Sequence, residues 1–355
     1  MFGGTVETFS SVLIQWYQAN KRDLPWRNTQ DPYLIWISEI ILQQTRVAQG
    51  LDYYLRFVQR FPTVAALAAA PEDDVLKLWQ GLGYYSRARN LHAAAKSMGG
   101  TFPSTYAGVL ALKGVGEYTA AAICSFAYRM PYAVVDGNVY RVLSRVYGIS
   151  TPVDSTAGKK EFAALAQKLL DKTRRPDLFN QAIMEFGALQ CVPAGPDCAR
   201  CPFAKRCKAY AANRVEQLPV KALKTQVKER YFTYIYVEQG GYTWLKKRPA
   251  GDVWQGLYEP FLLETPQAVL SAAAVKKAAG QFFEGVFPKN AAFVLAAAPV
   301  KHILSHRKIW AQLYKVALPA SAPVPPGFVR VPGAQVFRYP VSRLVNLLLQ
   351  KAGLL

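Results

Sequence analysis

The chain has 355 residues, of which 51% are hydrophobic, and a mean hydropathy of +0.03, which together exclude a disordered chain and allow two or three domains with cores of their own. It carries 43 lysines and arginines against 23 acidic residues, a formal net charge of +20, and the excess is shared equally by residues 1–229 and residues 230–355. Such a charge favours a polyanionic partner, with nucleic acid as the first candidate, although a basic protein without an anionic partner would have the same composition.

The cysteines and the N-terminus indicate the compartment. Four of the five cysteines fall in one late cluster, which is not the evenly spread set of a secreted disulfide protein. The N-terminal residues lack the basic start and the apolar stretch of a signal peptide, and no apolar run reaches membrane-spanning length. We therefore expect a cytoplasmic protein in a reducing environment, with no membrane partner.

An apolar helix with one carboxylate at its middle is predicted early in the chain. The sequence PYLIWISEIILQQTRV, residues 32–47, follows Asp31, a good N-cap residue with proline at the first helical position. The helix is apolar on nearly every side, which predicts burial, and Glu39, Gln43 and Arg46 recur on one face. A buried glutamate is unfavourable unless it has a partner or a chemical task. The residues alone leave open a pairing with Arg46 and a functional role.

A loop rich in glycine and tyrosine interrupts the short helices that follow. The loop GLGYYSR, residues 81–87, combines two glycines with Leu82, which we expect to be exposed, and two tyrosines. Such a loop could push apolar and aromatic groups into a base stack, but a plain turn with packed tyrosines is equally consistent with it. The other helices predicted before residue 190 are Val6–Asn20, Leu51–Arg60, Thr63–Ala69, Glu72–Trp79, Lys159–Leu170 and Asp177–Leu189.

A tight glycine turn, Gly114-Val115-Gly116, lies in the stretch LKGVGEYTAAAI between two predicted helices. Because glycine has no Cβ and tolerates positive φ, this turn can present bare backbone amides to a phosphate, with a helix N-terminus behind it. The pattern is typical of a helix-hairpin-helix element, which holds a DNA strand without reading its bases. A single G-x-G turn also occurs where no phosphate binds, so the turn alone does not decide.

A lone carboxylate, Asp136, ends an apolar run and opens a new helix at NVYRVLSR. The order Asp-Gly-Asn at this point is favourable N-capping chemistry, so a helix cap is one interpretation. The other is catalytic, because an acid just beyond a phosphate grip can act on the sugar next to the held phosphate. A carboxylate at a helix start is expected to stay ionised.

Four cysteines spaced x6, x2 and x5 form a strong metal-binding signal. A four-cysteine zinc site and a four-iron cluster both match it, and the spacing does not choose between them. Lys205, Arg206 and Lys208 crowd the last cysteine, so the loop would also present positive charge. Cys124 lies in an apolar helix and is expected to be a small core residue. The cluster consists of Cys191, Cys198, Cys201 and Cys207.

These stretches together resemble the adenine DNA glycosylases of the MutY family, within the helix-hairpin-helix glycosylase superfamily. The resemblance covers about residues 8–210, in order and without large gaps, and implies that the cysteines hold a [4Fe-4S] cluster. The stretches that carry it are SEIILQQTRV, GLGYYSRARN, LKGVGEYTAAAI, VVDGNVYRVLSR, NQAIMEFGALQC and the cysteine spacing.

The resemblance implies an α-helical helix-hairpin-helix glycosylase domain with an iron-sulfur cluster loop, over residues 1–212. Its six-helix part would span about 22–130, and its cluster part would combine the N-terminal helix with about 131–212. Residues 213–230 are polar and basic and are predicted to be a linker. An α+β Nudix-like domain that recognises 8-oxoguanine would follow over 231–355.

The pattern changes to strands after the predicted linker, with one alanine-rich helix at Pro266–Ala279. A Nudix hydrolase needs a cluster of glutamates for its metal, but only Glu259 and Glu264 lie between residues 256 and 280. Hydrolysis of a nucleotide by this part of the chain is therefore not expected. The predicted strands are YFTYIYVEQ, YTWLKKR, LYEPFLLE, AAFVLAAA and KIWAQLYKVAL.

The family resemblance also assigns catalytic roles. It implies that Glu39 protonates N7 of adenine and that Asp136 stabilises the positive sugar, a two-carboxylate division of labour known from glycosidases. An apolar surrounding should raise the pKa of Glu39. Tyr118 and Asn138 would lie beside the pair. Endonuclease III-like relatives carry a nucleophilic lysine at position 118, so Tyr118 predicts a monofunctional enzyme that leaves an abasic site without strand cleavage.

The remaining implied roles concern DNA. The partner would be double-stranded DNA with adenine opposite 8-oxoguanine or guanine, bound by a monomer at the bacterial nucleoid. An endonuclease III-like activity and an inactive DNA-binding scaffold are the alternatives. Leu304 stands where the family has phenylalanine, which puts stacking at that position in doubt. The implied residues are Trp26, Arg27 and Gln181 for the adenine pocket, Gln44, Leu82 and Tyr84 for the wedge, Gly114, Val115 and Gly116 for phosphate, and Leu304, Ser305 and His306 for 8-oxoguanine.

Overall fold

The computed structural model describes residues 8–222, 227–266, 268–282, 285–288 and 290–355. By their contacts the residues form two compact units. One contains the residues up to 68 together with 93–224, and the other contains 69–92 together with 225–355. The described part of the first unit is helical, whereas the second combines two β-sheets with helices.

The helices predicted before residue 190 are present, with ends that differ from the predicted ones by a few residues, whereas Ser86–Ser97 and Lys208–Ala211 were not predicted. The first predicted helix is described from Phe9, with Thr8 as its N-cap, and Val6 lies outside the described residues. In chain order these helices are α1 Phe9–Asn20, α2 Pro32–Leu42, α3 Val47–Arg60, α4 Val64–Ala69, α5 Glu72–Leu78, α6 Ser86–Ser97, α7 Tyr106–Leu110, α8 Glu117–Tyr128, α9 Gly137–Tyr147, α10 Thr156–Leu170, α11 Pro176–Leu189 and α12 Lys208–Ala211.

The second helix begins as predicted but ends early. The Asp31 side chain accepts the backbone N–H of Tyr33, but α2 ends at Leu42 instead of continuing to residue 47. Gln44 has a φ of 54°, which no α-helix accommodates. A Cβ at Gly50 of α3 would lie 2.8 Å from Leu42 Cδ2, so the glycine lets α3 start directly against the end of α2. The prediction that one helical face carries Glu39, Gln43 and Arg46 is therefore wrong.

The predicted helix-hairpin-helix is formed by α7, the glycine turn and α8. Gly114 has a φ of 82°, which glycine tolerates best. Gly116 is instead the N-cap of α8 with a φ of −101°, so only the first glycine needs the left-handed conformation. No atom lies within 4 Å of the position that a Cβ on Gly116 would occupy, which leaves the backbone open on that side.

The core that supports the later half of the first unit is built by α1, α9, α10 and α11. Apolar side chains from these four helices meet in one cluster, and Phe203 of the cysteine loop completes it. Removing such side chains from water stabilises the unit by about 1.5–3 kcal/mol each. The fully enclosed members are Leu13, Val139, Val142, Leu143, Phe162, Phe179, Ala182, Ile183 and Phe186.

The first part of the predicted linker packs against the helical unit instead of acting as a spacer. Leu218 is only 2% exposed, the Val153 N–H donates to Val220 O at 3.0 Å, and Arg145 donates to Leu218 O at 3.1 Å. These contacts bury apolar area that the linker prediction left exposed. Residues 223–226 lie outside the described part of the chain.

The second unit contains a mixed four-stranded sheet and an antiparallel three-stranded sheet, in the orders β4-β1-β6-β5 and β3-β2-β7. Strands β1 and β6 are parallel, with Phe232 opposite Ala311, and the other pairs are antiparallel. The strands are β1 Lys228–Glu238, β2 Tyr242–Lys247, β3 Tyr258–Glu259, β4 Phe261–Thr265, β5 Phe293–Leu304, β6 Arg307–Ala317 and β7 Phe328–Pro332.

All five predicted strand segments are present, but two elements were missed and one was misplaced. The alanine-rich helix α13 is Ala272–Phe282, not residues 266–279. Leu270, which was predicted to be helical, lies before the helix, and its backbone is bonded elsewhere: its N–H donates to Thr233 and its carbonyl oxygen accepts from Gln312. The missed elements are β7 and helix α14, Arg343–Lys351. Among the described residues, no helix has the length and apolar character needed to cross a bilayer.

Candidate active site

A cavity of about 690 Å³ opens in the first unit, where α2, α8, α9 and α11 meet. Its wall brings together side chains that lie far apart in the sequence, and it includes both carboxylates singled out above. The predicted residues that line it are Trp26, Arg27, Glu39, Gln44, Tyr118, Asp136, Asn138 and Gln181.

Glu39 lies on α2 and is 8% exposed. Burial raises the pKa of its carboxyl to about 7, a hydrogen bond with Tyr118 lowers it, and the nearby Asp136 raises it further. The glutamate is therefore partnered by a phenol, while Arg46 lies past the end of α2 on the wall of the same cavity. A carboxyl with this pKa can hold a proton near neutrality and release it.

Asp136 is the N-cap of α9 and also faces the cavity, so both interpretations of this residue describe its position. Its Oδ1 accepts the backbone N–H of Val139 and its Oδ2 accepts the side-chain amide of Asn138, each at 2.8 Å. Burial raises its pKa, while these hydrogen bonds and Arg141 lower it. The helix start thus favours the ionised form of Asp136, as expected, but the effect of burial is larger and the pKa of the carboxyl is raised.

Tyr118 completes the acidic pair from the first turn of α8. Burial and the adjacent Glu39 raise the pKa of its phenol well above the ordinary value, so the hydroxyl stays neutral. The cavity therefore holds one carboxyl with a pKa near neutrality, one carboxyl anchored by three donors or cations, and a neutral hydroxyl. Such a set can donate a proton on one side of a bound molecule and face a positive charge on the other.

A second buried glutamate, Glu185, holds two arginines at the cavity, and this role was not predicted from the sequence. Arg27 donates to both of its oxygens, at 2.8 and 2.6 Å, and Arg22 donates to Oε1 at 2.9 Å. Burial raises the pKa of this carboxyl, but the hydrogen bonds from Arg27 and Arg22 outweigh burial and lower the pKa to about 2. The predicted pocket residue Arg27 is thus held by an anion. Arg22, in the motif KRDLPWR, had no sequence signal beyond its charge.

The other predicted pocket residues have specific partners. Trp26 is buried and packs edge-on against Tyr54, with ring centroids 5.1 Å apart. Gln181 Oε1 accepts the hydroxyl of Tyr17 at 2.6 Å. Gln44 lies at the cavity margin, in the turn between α2 and α3.

Two arginines on α9 connect the start of that helix to the cysteine loop. Arg141 donates to Asn138 Oδ1 at 2.8 Å and to Cys191 O at 2.7 Å. Arg145 is 2% exposed and donates to Val192 O at 2.7 Å and Pro193 O at 2.9 Å. Neither arginine was predicted as a site residue, although a spacing of four along the helix that Asp136 opens places them on one face.

The four clustered cysteines line a single small cavity together with Arg145 and Phe186. Burial raises the pKa of the thiols of Cys191, Cys198 and Cys201. Within the part of the chain that the structure describes, no set of three or more cysteine, histidine or acidic groups converges on a single metal-ion position. The nearby Lys205, Arg206 and Lys208 are exposed, and Cys124 is buried as expected.

A second cavity, of about 420 Å³, lies in the second unit. It is lined by the loop of residues 81–86, by residues 252–254 and by the β5–β6 hairpin. Leu304 ends β5 and Arg307 begins β6, so Ser305 and His306 form the turn. The hydroxyls of Tyr84 and Ser305 are hydrogen-bonded. This hydrogen bond joins the loop of residues 81–87 to the turn at Ser305 and His306, and the sequence did not predict that these two segments meet.

One expectation for the loop of residues 81–87 is wrong. Leu82 is only 8% exposed, whereas Tyr84 is 44% exposed. Gly81, Gly83 and Tyr84 all have positive φ values, of 106°, 72° and 46°, and this sharp turn directs the leucine inward and the tyrosine outward. In the same unit, the two glutamates of the incomplete Nudix pattern are ion-paired, Glu259 with Arg248 and Glu264 with Arg230.

Comparison with known proteins agrees with this arrangement. Residues 37–172 match the HhH-GPD superfamily of base excision DNA repair proteins, and residues 233–351 match the NUDIX domain. An adenine DNA glycosylase of Buchnera aphidicola subsp. Acyrthosiphon pisum (strain APS) is 33% identical over 86% of this chain and 92% of its own length. The adenine DNA glycosylase of Homo sapiens is 35% identical over 91% of this chain and 70% of its own.

A solved structure supports the fold of the helical part. A thermostable thymine-DNA glycosylase covers 57% of this chain and 95% of its own, with a TM-score of 0.53 and 32% sequence identity. The relatives of bacterial and mammalian origin extend across both units, which confirms the resemblance and the predicted fold class. The chain therefore belongs to the adenine DNA glycosylase family, with an HhH-GPD domain followed by a NUDIX domain.

Proposed function

We propose that this chain removes adenine mispaired with 8-oxoguanine or guanine from double-stranded DNA and leaves an abasic site. The observation that carries the proposal is the shared cavity of Glu39 and Asp136, in which burial brings the pKa of Glu39 to about 7. Family membership makes the chain a DNA glycosylase of base excision repair. The assignment of the opposite base and of each residue is our proposal.

The mechanism follows from the two carboxyls. Protonated Glu39 donates its proton to N7 of adenine while the C1′–N9 bond breaks and its electron pair leaves with the base. Asp136, held by Val139 N–H and Asn138, faces the positive sugar with its negative charge. Water then adds to C1′, and the proton that this water releases restores the acid. Tyr118 keeps the Glu39 carboxyl in place through its hydrogen bond.

The reaction stops at the abasic site in this proposal. Strand cleavage by endonuclease III-like enzymes requires an amine that attacks the sugar. Position 118 offers instead a buried phenol whose raised pKa keeps it protonated and a poor nucleophile. Lys113 precedes the glycine turn and does not line the cavity.

The remaining residues would hold and open the DNA. The Gly114–Gly116 turn would bind a backbone phosphate through bare amides, since the space beside Gly116 is open. The adenine would leave the duplex and enter the cavity against Trp26 and Gln181, with Arg27 fixed by Glu185. Gln44 and the exposed Tyr84 would fill the gap, whereas Leu82 is directed inward, and the turn that follows Leu304, at Ser305 and His306, would read 8-oxoguanine.

We also propose that Cys191, Cys198, Cys201 and Cys207 hold a [4Fe-4S] cluster. The four thiols line one cavity, as the ligands of a single metal centre would. The choice of the cluster over a zinc ion rests on the family resemblance. Arg145 approaches Cys191 Sγ at 3.5 Å, so positive charge is available to a thiolate there. When bound, the cluster would supply four metal–sulfur bonds that tie down the loop carrying Lys205, Arg206 and Lys208.

The proposed setting is a monomer in the bacterial cytoplasm, associated with the nucleoid through DNA. The proposed domains are those predicted from the sequence, at 1–212, 213–230 and 231–355, with the six-helix and cluster parts inside the first, except that residues 213–222 pack against the helical unit and extend it.

The deciding experiment treats duplexes that carry adenine opposite 8-oxoguanine, guanine, cytosine or thymine, each with and without alkali. We expect cleavage only after alkali, fastest opposite 8-oxoguanine and next opposite guanine. Direct nicking would support the endonuclease III-like alternative, and binding without base release would support the inactive scaffold.

A further inference from the structure

The hydroxyl of Tyr17 makes one contact that bears on the choice of base. Tyr17 lies on α1, is 2% exposed, and donates its hydroxyl to Gln181 Oε1 at 2.6 Å. Gln181 lies on α11 and lines the cavity that holds Glu39 and Asp136. We propose that Tyr17 is a positioning residue that fixes the Gln181 amide with its NH2 group toward the bound base, and thereby selects adenine over hypoxanthine. The proposal rests on the proposed function.

Among the residues that the structure describes, Gln181 Oε1 is the acceptor of the phenol proton, and no second acceptor is found for it. Burial raises the pKa of Tyr17, so the hydroxyl keeps its proton. The nearest anion, Glu185, accepts five hydrogen bonds from Arg22 and Arg27 and has no lone pair left for a phenol. Arg27 also lies over the Tyr17 ring, with 5.7 Å between the guanidinium carbon and the ring centroid. If the amide flipped, the phenol proton would be buried and unpaired, which is strongly unfavourable.

The fixed amide presents a donor to the cavity. Because Oε1 is directed at Tyr17, the amide nitrogen of Gln181 is the polar group left on the cavity side, and within the described part of the chain it has no protein partner. Adenine has an unprotonated N1 on its Watson–Crick edge, and in this proposal N1 accepts the N–H of Gln181. Hypoxanthine carries a hydrogen on N1, and two N–H groups would then face each other. The amide orientation therefore discriminates between bases of almost identical shape.

The test compares Tyr17→Phe with Tyr33→Phe, which removes an equivalent hydroxyl elsewhere in the same unit. Tyr33 donates to Phe61 O at 2.6 Å and does not line the cavity. The readout is the single-turnover rate of base release from duplexes with adenine or hypoxanthine opposite 8-oxoguanine. We expect Tyr17→Phe to lower the preference for adenine about tenfold, the factor expected for one hydrogen bond, and Tyr33→Phe to leave the ratio unchanged.

A double variant shows whether Tyr17 acts through the amide. With Gln181→Ala in place, Tyr17→Phe should no longer change the ratio. Equal losses on both bases, or an unchanged effect in the Gln181→Ala background, would assign Tyr17 a structural role only and overturn the inference.

The preference for adenine over hypoxanthine can also be measured by binding alone, without base release. Equilibrium binding of duplexes carrying the uncleavable 2′-fluoro forms of the adenine and hypoxanthine nucleotides should show the same loss of preference in Tyr17→Phe. An enzyme that binds these duplexes selectively but releases no adenine would contradict the proposed function and leave the inference standing. An enzyme that releases adenine, but in which Tyr17→Phe leaves both ratios unchanged, would contradict the inference alone.

Discussion

Glu39 and Glu185 line the same cavity, and their carboxyl pKa values lie on opposite sides of the ordinary glutamate value, at about 7 and about 2. Both side chains are buried, at 8% and 1% exposed. Burial raises both values, so the difference comes from the neighbours. Glu39 meets a neutral phenol and the carboxyl of Asp136, whereas Glu185 accepts hydrogen bonds from two guanidinium groups. One carboxyl can therefore carry a proton at neutrality while the other is a permanent anion.

The first prediction concerns stability. At pH 8 the folded chain holds an ionised Glu39 in a buried site, which is unfavourable by about 3 kcal/mol relative to the unfolded chain. Glu39→Gln should therefore raise the thermal midpoint at pH 8. The folded pKa of about 7 lies above the unfolded one, so wild-type stability declines between about pH 4.5 and 7. The gain in Glu39→Gln should vanish below that range. Calorimetry at pH 4 and 8 checks both.

The substitution Glu185→Gln should change the thermal midpoint in the opposite direction. The lowered pKa of Glu185 means that its ionised form stabilises the fold above about pH 4.5, and that this contribution is lost as the pH falls toward 2. Its substitution also leaves Arg22 and Arg27 without their partner. The thermal midpoint should fall at pH 8. Changes of the same sign in both variants would mean that the two carboxyls do not differ as described.

The second prediction concerns the rate. If Glu39 is the general acid, its protonated fraction sets the single-turnover rate of adenine release, so the rate should fall about tenfold per pH unit above about pH 7. Glu39→Gln should reduce the rate by about two to four powers of ten, with duplex binding retained. Quenched-flow measurements from pH 5 to 9 test this. A flat profile in an active wild-type enzyme would remove Glu39 from this role.

The third prediction separates charge from capping at Asp136. Asp136→Asn keeps a side-chain oxygen that can accept the Val139 N–H, but it removes the negative charge that would face the sugar. We expect a loss of about two or more powers of ten in rate with a small change in thermal midpoint. Asp136→Ser, which also caps helices well, should be as inactive. Activity in either variant close to wild type would reduce Asp136 to a helix cap.

The local features of the fold could be predicted from the sequence, because their causes lie within a few residues. Asp31 and Asp136 cap helices where the pattern placed them, since an Asx side chain reaches its own helix start. The early end of α2 could not be predicted, because it depends on how closely α3 approaches at Gly50.

The partners of the candidate site residues depend on contacts that are distant in the chain. Arg27 and Glu185 are separated by 158 residues, and Tyr84 and Ser305 by 221. No periodicity records such pairs. The two carboxyls were singled out because one interrupts an apolar helix and the other an apolar run. Arg22, which donates to Glu185, and Arg141 and Arg145, which approach Cys191, looked like ordinary surface charge.

The fourth prediction concerns the cysteine cluster. Purified protein should contain iron and acid-labile sulfide in about equal amounts, and show a broad visible absorption. Cys198→Ser should reduce the iron content, and it should also weaken duplex binding, because the loop with Lys205 and Arg206 would lose its anchor. Cys124→Ser, a buried cysteine outside the cluster, is the control and should keep the iron. Stoichiometric zinc without sulfide would overturn the cluster assignment.

The last prediction rests on the hydrogen bond between Tyr84 and Ser305. Oxidised guanine carries a hydrogen on N7, where guanine offers only an acceptor. A serine hydroxyl that is held by a hydrogen bond with Tyr84 still has an oxygen lone pair that can accept that N7–H. Leu304 is partly buried against the core of the second unit and offers no aromatic face. The hydroxyl pair, not stacking at position 304, should therefore distinguish 8-oxoguanine from guanine.

Ser305→Ala combined with His306→Ala should narrow the preference for 8-oxoguanine over guanine opposite adenine by about tenfold, since one hydrogen bond to the base is worth about 1–3 kcal/mol. Tyr84→Phe should produce part of the same loss, because Ser305 would lose the bond that orients it. The rate on a saturated adenine–guanine duplex should change much less in both of these variants. Leu304→Phe is the matched control for stacking. If this variant increases the preference for 8-oxoguanine over guanine, an aromatic side chain at position 304 contributes by stacking. If binding to both duplexes weakens equally in the Ser305 and His306 variant, the turn holds phosphate and does not read the opposite base.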